Sequence, residues 1–418
     1  VSAHARGRRA TRGFTLVELM VALMGGLFIS LAVFALARDA GRFYQSEVRI
    51  ANATVGGLLG FERLRTDIAR AGLMSSPNIN RDPAVCTKPD GTWPANLSQL
   101  ASIQITQPVA PAVLTANGRT PQRLLLGGAY TSSDQYSAKV TASGAVTTFE
   151  LVVDASSGAL IRLGNGAVPT DAAMKAAFPD NHALRIFQAG HAYYGQIVTA
   201  TGTPNPPTVT VNAQPPIQVA DGSAIGCGLV VPSSGSQYPT INVVNFIQYD
   251  VRNLATNAQT PEARATYATM FANSNAPGED TRTELVRVEQ DITGTPIPGT
   301  EELVAEYAVD FDLQITAVSG GVTPVLNTYT KAMGAFANYT GTTYNTANTP
   351  QWIRSVRVRL GVRSREADRS VTIANGAGNG LFRFNIGTGG GSGSDGFARV
   401  RTFQADVALH NQADITWQ

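Results

Sequence analysis

The stretch Gly13–Ala37, GFTLVELMVALMGGLFISLAVFALA, carries one ionisable side chain, Glu18, in an otherwise apolar run closed by Arg38 and Asp39. A helix over Phe14–Ala37 would be roughly 36 Å long at about 1.5 Å per residue, enough to cross a hydrocarbon core of about 30 Å. A carboxylate inside such a segment costs on the order of 2.5–3.5 kcal/mol on insertion scales, so it reads by default as functional. The bland reading, an acid that reaches back to the interface and does nothing, leaves its place near the start of the run unexplained.

Outward from this run, residues 1–13 hold Arg6, Arg8, Arg9 and Arg12 and no acid. Such a flank stays cytoplasmic and sends the chain beyond Ala37 across the membrane. A secretory signal would place a small-residue cleavage site after the apolar run, but the sequence there is RDAGRFYQ. The small residue, Gly13, comes before it instead. Gly25–Gly26 interrupts the run, marking either a close helix–helix contact or a place where the helix loosens.

A basic leader ending in Gly13, then Phe14-Thr-Leu-Val-Glu18 and an apolar helix, resembles the type IV prepilin signal of pilins and pseudopilins. The resemblance implies that a prepilin peptidase cuts between Gly13 and Phe14 and methylates the new Phe14 amine. It further implies that the protein waits in the inner membrane and then joins an extracellular pilus. Glu18 lies about 6 Å along the helix from that amine. In a packed filament it would meet a neighbour's amine, a pairing that fixes register more than it adds stability.

Beyond Ala37 the pattern stays helical to about Leu73. Leu58, Phe61, Leu64, Ile68 and Ala71 form an apolar stripe, with Arg63, Asp67 and Arg70 on another face. Gly72 and Pro77 end it. From Ser75 the texture turns to short apolar runs among Gly, Pro, Thr, Ser and Asn, which predicts a β-rich domain. Period-two alternation predicts strands at Glu306–Ile315, Ser355–Arg363 and Thr402–Leu409, each with one wet face. Weaker patterns predict strands at Thr148–Val153, Ile241–Val251 and Glu284–Gln290. Pro204–Pro216, Thr323–Pro350 and Gly376–Gly396 read as loops.

The expected organisation is therefore α+β: a leader at 1–13, a membrane or filament-core helix at 14–37, its amphipathic continuation at 38–74, and a β-rich periplasmic domain at 75–418. The segments FERLRTDIARAGLM (61–74), EELVAEYAVDFDLQI (301–315), WIRSVRVRLGVRSRE (352–366) and RTFQADVALHN (401–411) resemble the PilW family of minor pilins. That likeness implies a subunit that joins other minor pilins and the major pilin to prime or cap assembly. Alternatives are a J-like pseudopilin of type II secretion, for which the chain is long, and a membrane-tethered envelope adhesin or enzyme.

Composition adds bounds. Lys and Arg total 32 against 30 acids. Removing the four leader arginines leaves 28 against 30, so the mature chain is slightly acidic. The two cysteines, Cys86 and Cys227, sit in no C-x-x-C pattern. Across the membrane a disulfide between them is favoured over two buried thiols. No enzyme chemistry is legible: there is no H-E-x-x-H, no G-x-S-x-G and no Gly-Lys pair. His182 and His191 lack patterned metal partners, and no metal or cofactor is expected. Asp310 and Asp312 read as a solvated strand face. Arg354, Arg357, Arg359, Arg363 and Arg365 form a basic stripe without interleaved aromatics, which reads as a face paired with neighbouring acids; no nucleic-acid partner is expected.

Overall fold

The computed structural model describes residues 15–415 apart from 87, 91, 143–145, 153–157, 204, 214–216, 218, 221–228, 231–237, 272–278, 280, 320–324, 341–348, 366–382 and 387–395. The fold is α+β and falls into two compact units, one ending at Asn52 and the other running Ala53–Gln418. The expected Gly376–Gly396 loop lies mostly outside the described residues, but Arg383–Asn385 within it is a strand, and the expected loops Pro204–Pro216 and Thr323–Pro350 likewise contain strands at Thr208–Ala213 and Leu326–Tyr329.

The long helix α1 (Leu16–Ala69) has 54 residues. In the first unit its segment Leu16–Gly41 is apolar and long enough to span a bilayer, and none of it is buried within the chain. Leu16, Phe28, Phe34 and Leu36 are each about seven-tenths exposed or more. A stretch this apolar is stable only in lipid or against other helices.

In the second unit, strands β1 (Ile103–Thr106), β2 (Arg123–Gly128), β3 (Tyr136–Ala142), β4 (Val146–Leu151), β5 (Ala183–Gln188), β6 (His191–Thr201) and β7 (Thr208–Ala213) come first. A short parallel pair follows, β8 (Val219–Ala220) and β9 (Leu229–Val230). Next are β10 (Thr240–Arg252), β11 (Glu284–Gln290) and β12 (Glu302–Ala305). With β1–β7 these three build one antiparallel assembly. Its spine is β10: residues 240–244 pair with β5, and residues 245–249 pair with β2. Residues 246–252 also pair with β11. Flanked for most of its length, β10 is buried from Ile241 to Arg252.

The second sheet contains β13 (Ala308–Val318), β14 (Leu326–Tyr329), β15 (Ile353–Arg363), β16 (Arg383–Asn385) and β17 (Phe397–Ala408). Its order is β14-β13-β15-β17-β16. One core holds Phe61, Leu64 and Ile68 of the α1 end and Ala71 just beyond it, together with residues of β1, β2, β10, β11 and the second sheet. A separate core fills the β3–β7 lobe, closed by the short helices Gly158–Leu163 and Asp171–Ala177 through Leu160 and Met174.

Four of the five predicted stripe residues are buried, but Leu58 is 46% exposed. The helix face that meets the sheets is set instead by two glycines. A Cβ on Gly57 would come 2.7 Å from the Phe403 ring, and one on Gly60 would come 2.4 Å from the Val304 carbonyl oxygen. Close approach at these bare positions rolls Leu58 outward. α1 also ends at Ala69, short of Leu73, in a turn that carries Gly72 at φ 76° and Met74 at φ 50°.

These contacts predict opposite outcomes for neighbouring glycines. Gly60→Ala is expected to destabilise the full chain by about 1–3 kcal/mol, because a backbone oxygen cannot swing aside. A Cβ added at Gly56 would meet nothing within 4 Å, so Gly56→Ala is expected to stabilise by up to about 1 kcal/mol through helix propensity. Urea titrations of the two variants in detergent micelles read the difference.

The predicted strand at Glu306–Ile315 begins two residues late, at Ala308. Glu306 and Tyr307 form a turn after β12, with Tyr307 at φ 53°. The reason lies in its ring, which packs between Arg282 at 4.7 Å and Arg363 at 5.0 Å. The wet-face expectation fails for the first half of β13, where both faces are buried through Phe311 and Asp312. It holds at the end of β17, where Gln404, Asp406 and Ala408 are exposed between less exposed neighbours. Strands also stand at the three weaker positions, as β4, β10 and β11.

Candidate functional site

The expected cleavage pair, Gly13 and Phe14, lies outside the described residues. The first described turn is ordered by Thr15 and Glu18. The Thr15 N–H and hydroxyl each donate to Glu18 Oε2 at 3.0 Å, and the Glu18 N–H stands 3.3 Å from Thr15 Oγ1. This is a capping box: the T-x-x-E spacing lets residue and backbone satisfy each other at a helix start. Glu18 thus has a local partner in the single chain, and its oxygens are held at the very beginning of α1. The T-x-x-E spacing itself signals this contact, whereas the isolation of the acid in an apolar run points only to a partner in another subunit.

In the second unit the end of α1 is locked by an acid. Helical spacing pairs Asp67 with Arg63 or Arg70 along its own helix. It is instead 5% exposed and faces the sheet. Asp67 Oδ2 accepts from Arg287 Nε at 2.9 Å and from the Tyr249 hydroxyl at 2.7 Å. The Tyr130 hydroxyl donates to the Asp67 carbonyl at 3.0 Å. Arg287 also donates to Glu302 at 3.0 Å, and Arg63 reaches the same Glu302 oxygen at 2.9 Å. Burial pushes the Tyr249 hydroxyl well up, and the Asp67 charge adds to it. Asp67 sits at the edge of the stripe of Leu64, Ile68 and Ala71, where a buried acid needs a cation, but the sequence around it does not say which.

The other polar candidates are consumed within the fold. Asp310 and Asp312 are buried, correcting the solvated reading; Arg359 pairs with Asp310 at 2.7 Å, and Lys331 pairs with Asp312 at 3.1 Å. Arg357 pairs with Asp406 on β17 at 2.8 Å. Arg363 is fully buried, and Arg365 pairs with Glu279 at 2.6 Å. The basic stripe is therefore an intramolecular one, tied to several elements and not to one adjacent strand. His182 is packed against Glu289, and among the described residues no group of His, Cys, Asp and Glu is arranged to hold a metal.

Cys86 is disulfide-bonded, with the Tyr193 hydroxyl 3.8 Å from its sulfur. Cys227 lies outside the described residues.

A family model described as the prokaryotic N-terminal methylation motif matches residues 8–24. It takes in the leader end, Gly13, Phe14, Thr15, Glu18 and the first turns of the apolar helix. No characterised protein and no solved structure matches the chain at a significant level. The motif and the bare apolar helix together support a type IV pilin-like protein, a structural subunit class that prepilin peptidase processes and that assembles with other pilins.

Proposed function

We propose that this chain is a minor pilin, similar to the PilW family, that joins other minor pilins and the major pilin to prime or cap a type IV pilus. Prepilin peptidase removes residues 1–13 after Gly13 and methylates Phe14. Residues 14–37 hold the subunit in the inner membrane and then enter the filament core. Residues 38–74 continue the helix into the domain at 75–418, which faces the periplasm and is closed by a Cys86–Cys227 disulfide. Glu18 exchanges its bond to Thr15 for the amine of a neighbouring subunit. The role is one of packing, not of catalysis.

The observation that carries this reading is the methylation motif at residues 8–24 running directly into a helix segment of which none is buried within the chain. Mass spectrometry of the native protein tests it: an N-methylated Phe14 is expected, and an intact leader would overturn it. Gly13→Val is expected to block cleavage, read as a heavier precursor that keeps its leader and stays in the membrane fraction. A type II secretion pseudopilin shares this amino terminus. Deletion of the gene separates the two, because loss of surface pili with normal protein secretion is expected here.

A further inference from the structure

Glu289 on β11 meets both the helix lock and the β3–β7 lobe. Its Oε1 stands 3.5 Å from Arg287 Nη2, and its Oε2 stands 3.2 Å from His182 Nε2. His182 lies immediately before β5, is 5% exposed, and has its other ring nitrogen 3.1 Å from the Asp180 carbonyl. Its backbone carbonyl accepts from the Ile197 N–H of β6 at 2.9 Å, so the residue is fixed by the lobe itself. A second branch closes a ring. Asn245 Nδ2 donates to Glu289 at 3.4 Å, and Asn245 Oδ1 accepts from the Tyr130 N–H at 3.0 Å. The Tyr130 hydroxyl returns to Asp67.

Every group in this ring is oriented by the next. Burial disfavours the Glu289 carboxylate, but the His182 contact and the Arg287 charge outweigh it and hold the group below its ordinary value. A buried polar network of this kind is worth more intact than as separate pairs, since one missing member leaves its neighbours unsatisfied. Among the described residues, the lobe's main core and the core that holds Phe61 and Leu64 are distinct clusters that meet only along β10, so the polar relay adds a side-chain link of its own between lobe and helix.

We propose that the relay His182–Glu289–Arg287–Asp67 couples the β3–β7 lobe to the seating of the α1 end, with His182 as a positioning residue for the helix lock. A contact made on the lobe that shifts β5 or β6 then alters how firmly residues 61–69 are held. This goes beyond pilus membership and holds whether or not the subunit enters a pilus.

Hydrogen–deuterium exchange on the full chain in detergent micelles tests it. His182→Gln is expected to speed exchange in the peptide covering residues 61–69 at least threefold, besides its effect around residue 182. In an Asp67→Asn background, where the lock is already open, the same substitution is expected to leave that peptide unchanged. Glu289→Gln supplies a second variant should His182→Gln fail to fold, with the same two outcomes. Exchange changes confined to residues near 180–200, or equal increments in both backgrounds, would overturn the coupling.

Discussion

Glu18→Ala is expected to yield a subunit that is cut after Gly13 yet is at least tenfold depleted from sheared filaments. Cleavage is expected to proceed because the apolar run and Gly13 remain. Within the single chain it holds only the first turn, through two bonds from Thr15. Losing a capping interaction costs a helix about 1 kcal/mol, too little to unseat one of 54 residues. In a filament core the charge itself matters, because an unpaired amine among packed helices bears a desolvation cost of several kcal/mol. Glu18→Gln separates the two roles: it keeps an oxygen for Thr15 but has no charge for a neighbouring amine. Depletion by both variants assigns the effect to the charge. Full incorporation of Glu18→Ala, read by immunoblot of sheared material, would remove Glu18 from the assembly mechanism.

The second large effect lies in the domain. Arg287→Met is expected to cost about 3–5 kcal/mol, the range for breaking a buried pair by removing one partner. Asp67 then stays buried, with the Tyr249 hydroxyl left on its carboxylate oxygen. Glu302, about two-fifths exposed, turns to water and recovers most of what it loses. Arg357→Ala provides the control: both members of the Arg357–Asp406 pair are more than two-fifths exposed, so solvent screening leaves only a small loss, far below that of Arg287→Met. Urea unfolding of the full chain in micelles measures both, and equal costs would mean that the buried lock contributes no more than a surface pair.

What the sequence discloses and what it withholds divide by distance along the chain. The leader, Gly13, Phe14 and Glu18 are contiguous, and their meaning is local to a few turns of helix. Phe61, Leu64, Ile68 and Ala71 are legible because helical spacing alone places them on one side. Leu58 defeats that spacing because its decisive neighbours are absences: Gly57 and Gly60 matter for the atoms they lack, and Phe403 and Val304 set that requirement from more than 240 residues away. Asp67 is illegible for a related reason. Its partners Tyr249 and Arg287 lie 182 and 220 residues downstream, and nothing near residue 67 announces them. Asp310 and Asp312 show the same limit, since alternation marks which residues share a face but not whether another element covers it.

The 220-residue gap between Asp67 and Arg287 also has a meaning in time. At roughly 5–20 residues per second of synthesis, about 10–40 s separate the two side chains. Through that interval the helix end is made but its cover is not, leaving Phe61, Leu64 and Ile68 open to whatever apolar surface is near. Domains dominated by such distant pairings also fold slowly once complete. A nascent chain of this design therefore carries an uncovered apolar segment until β11 arrives.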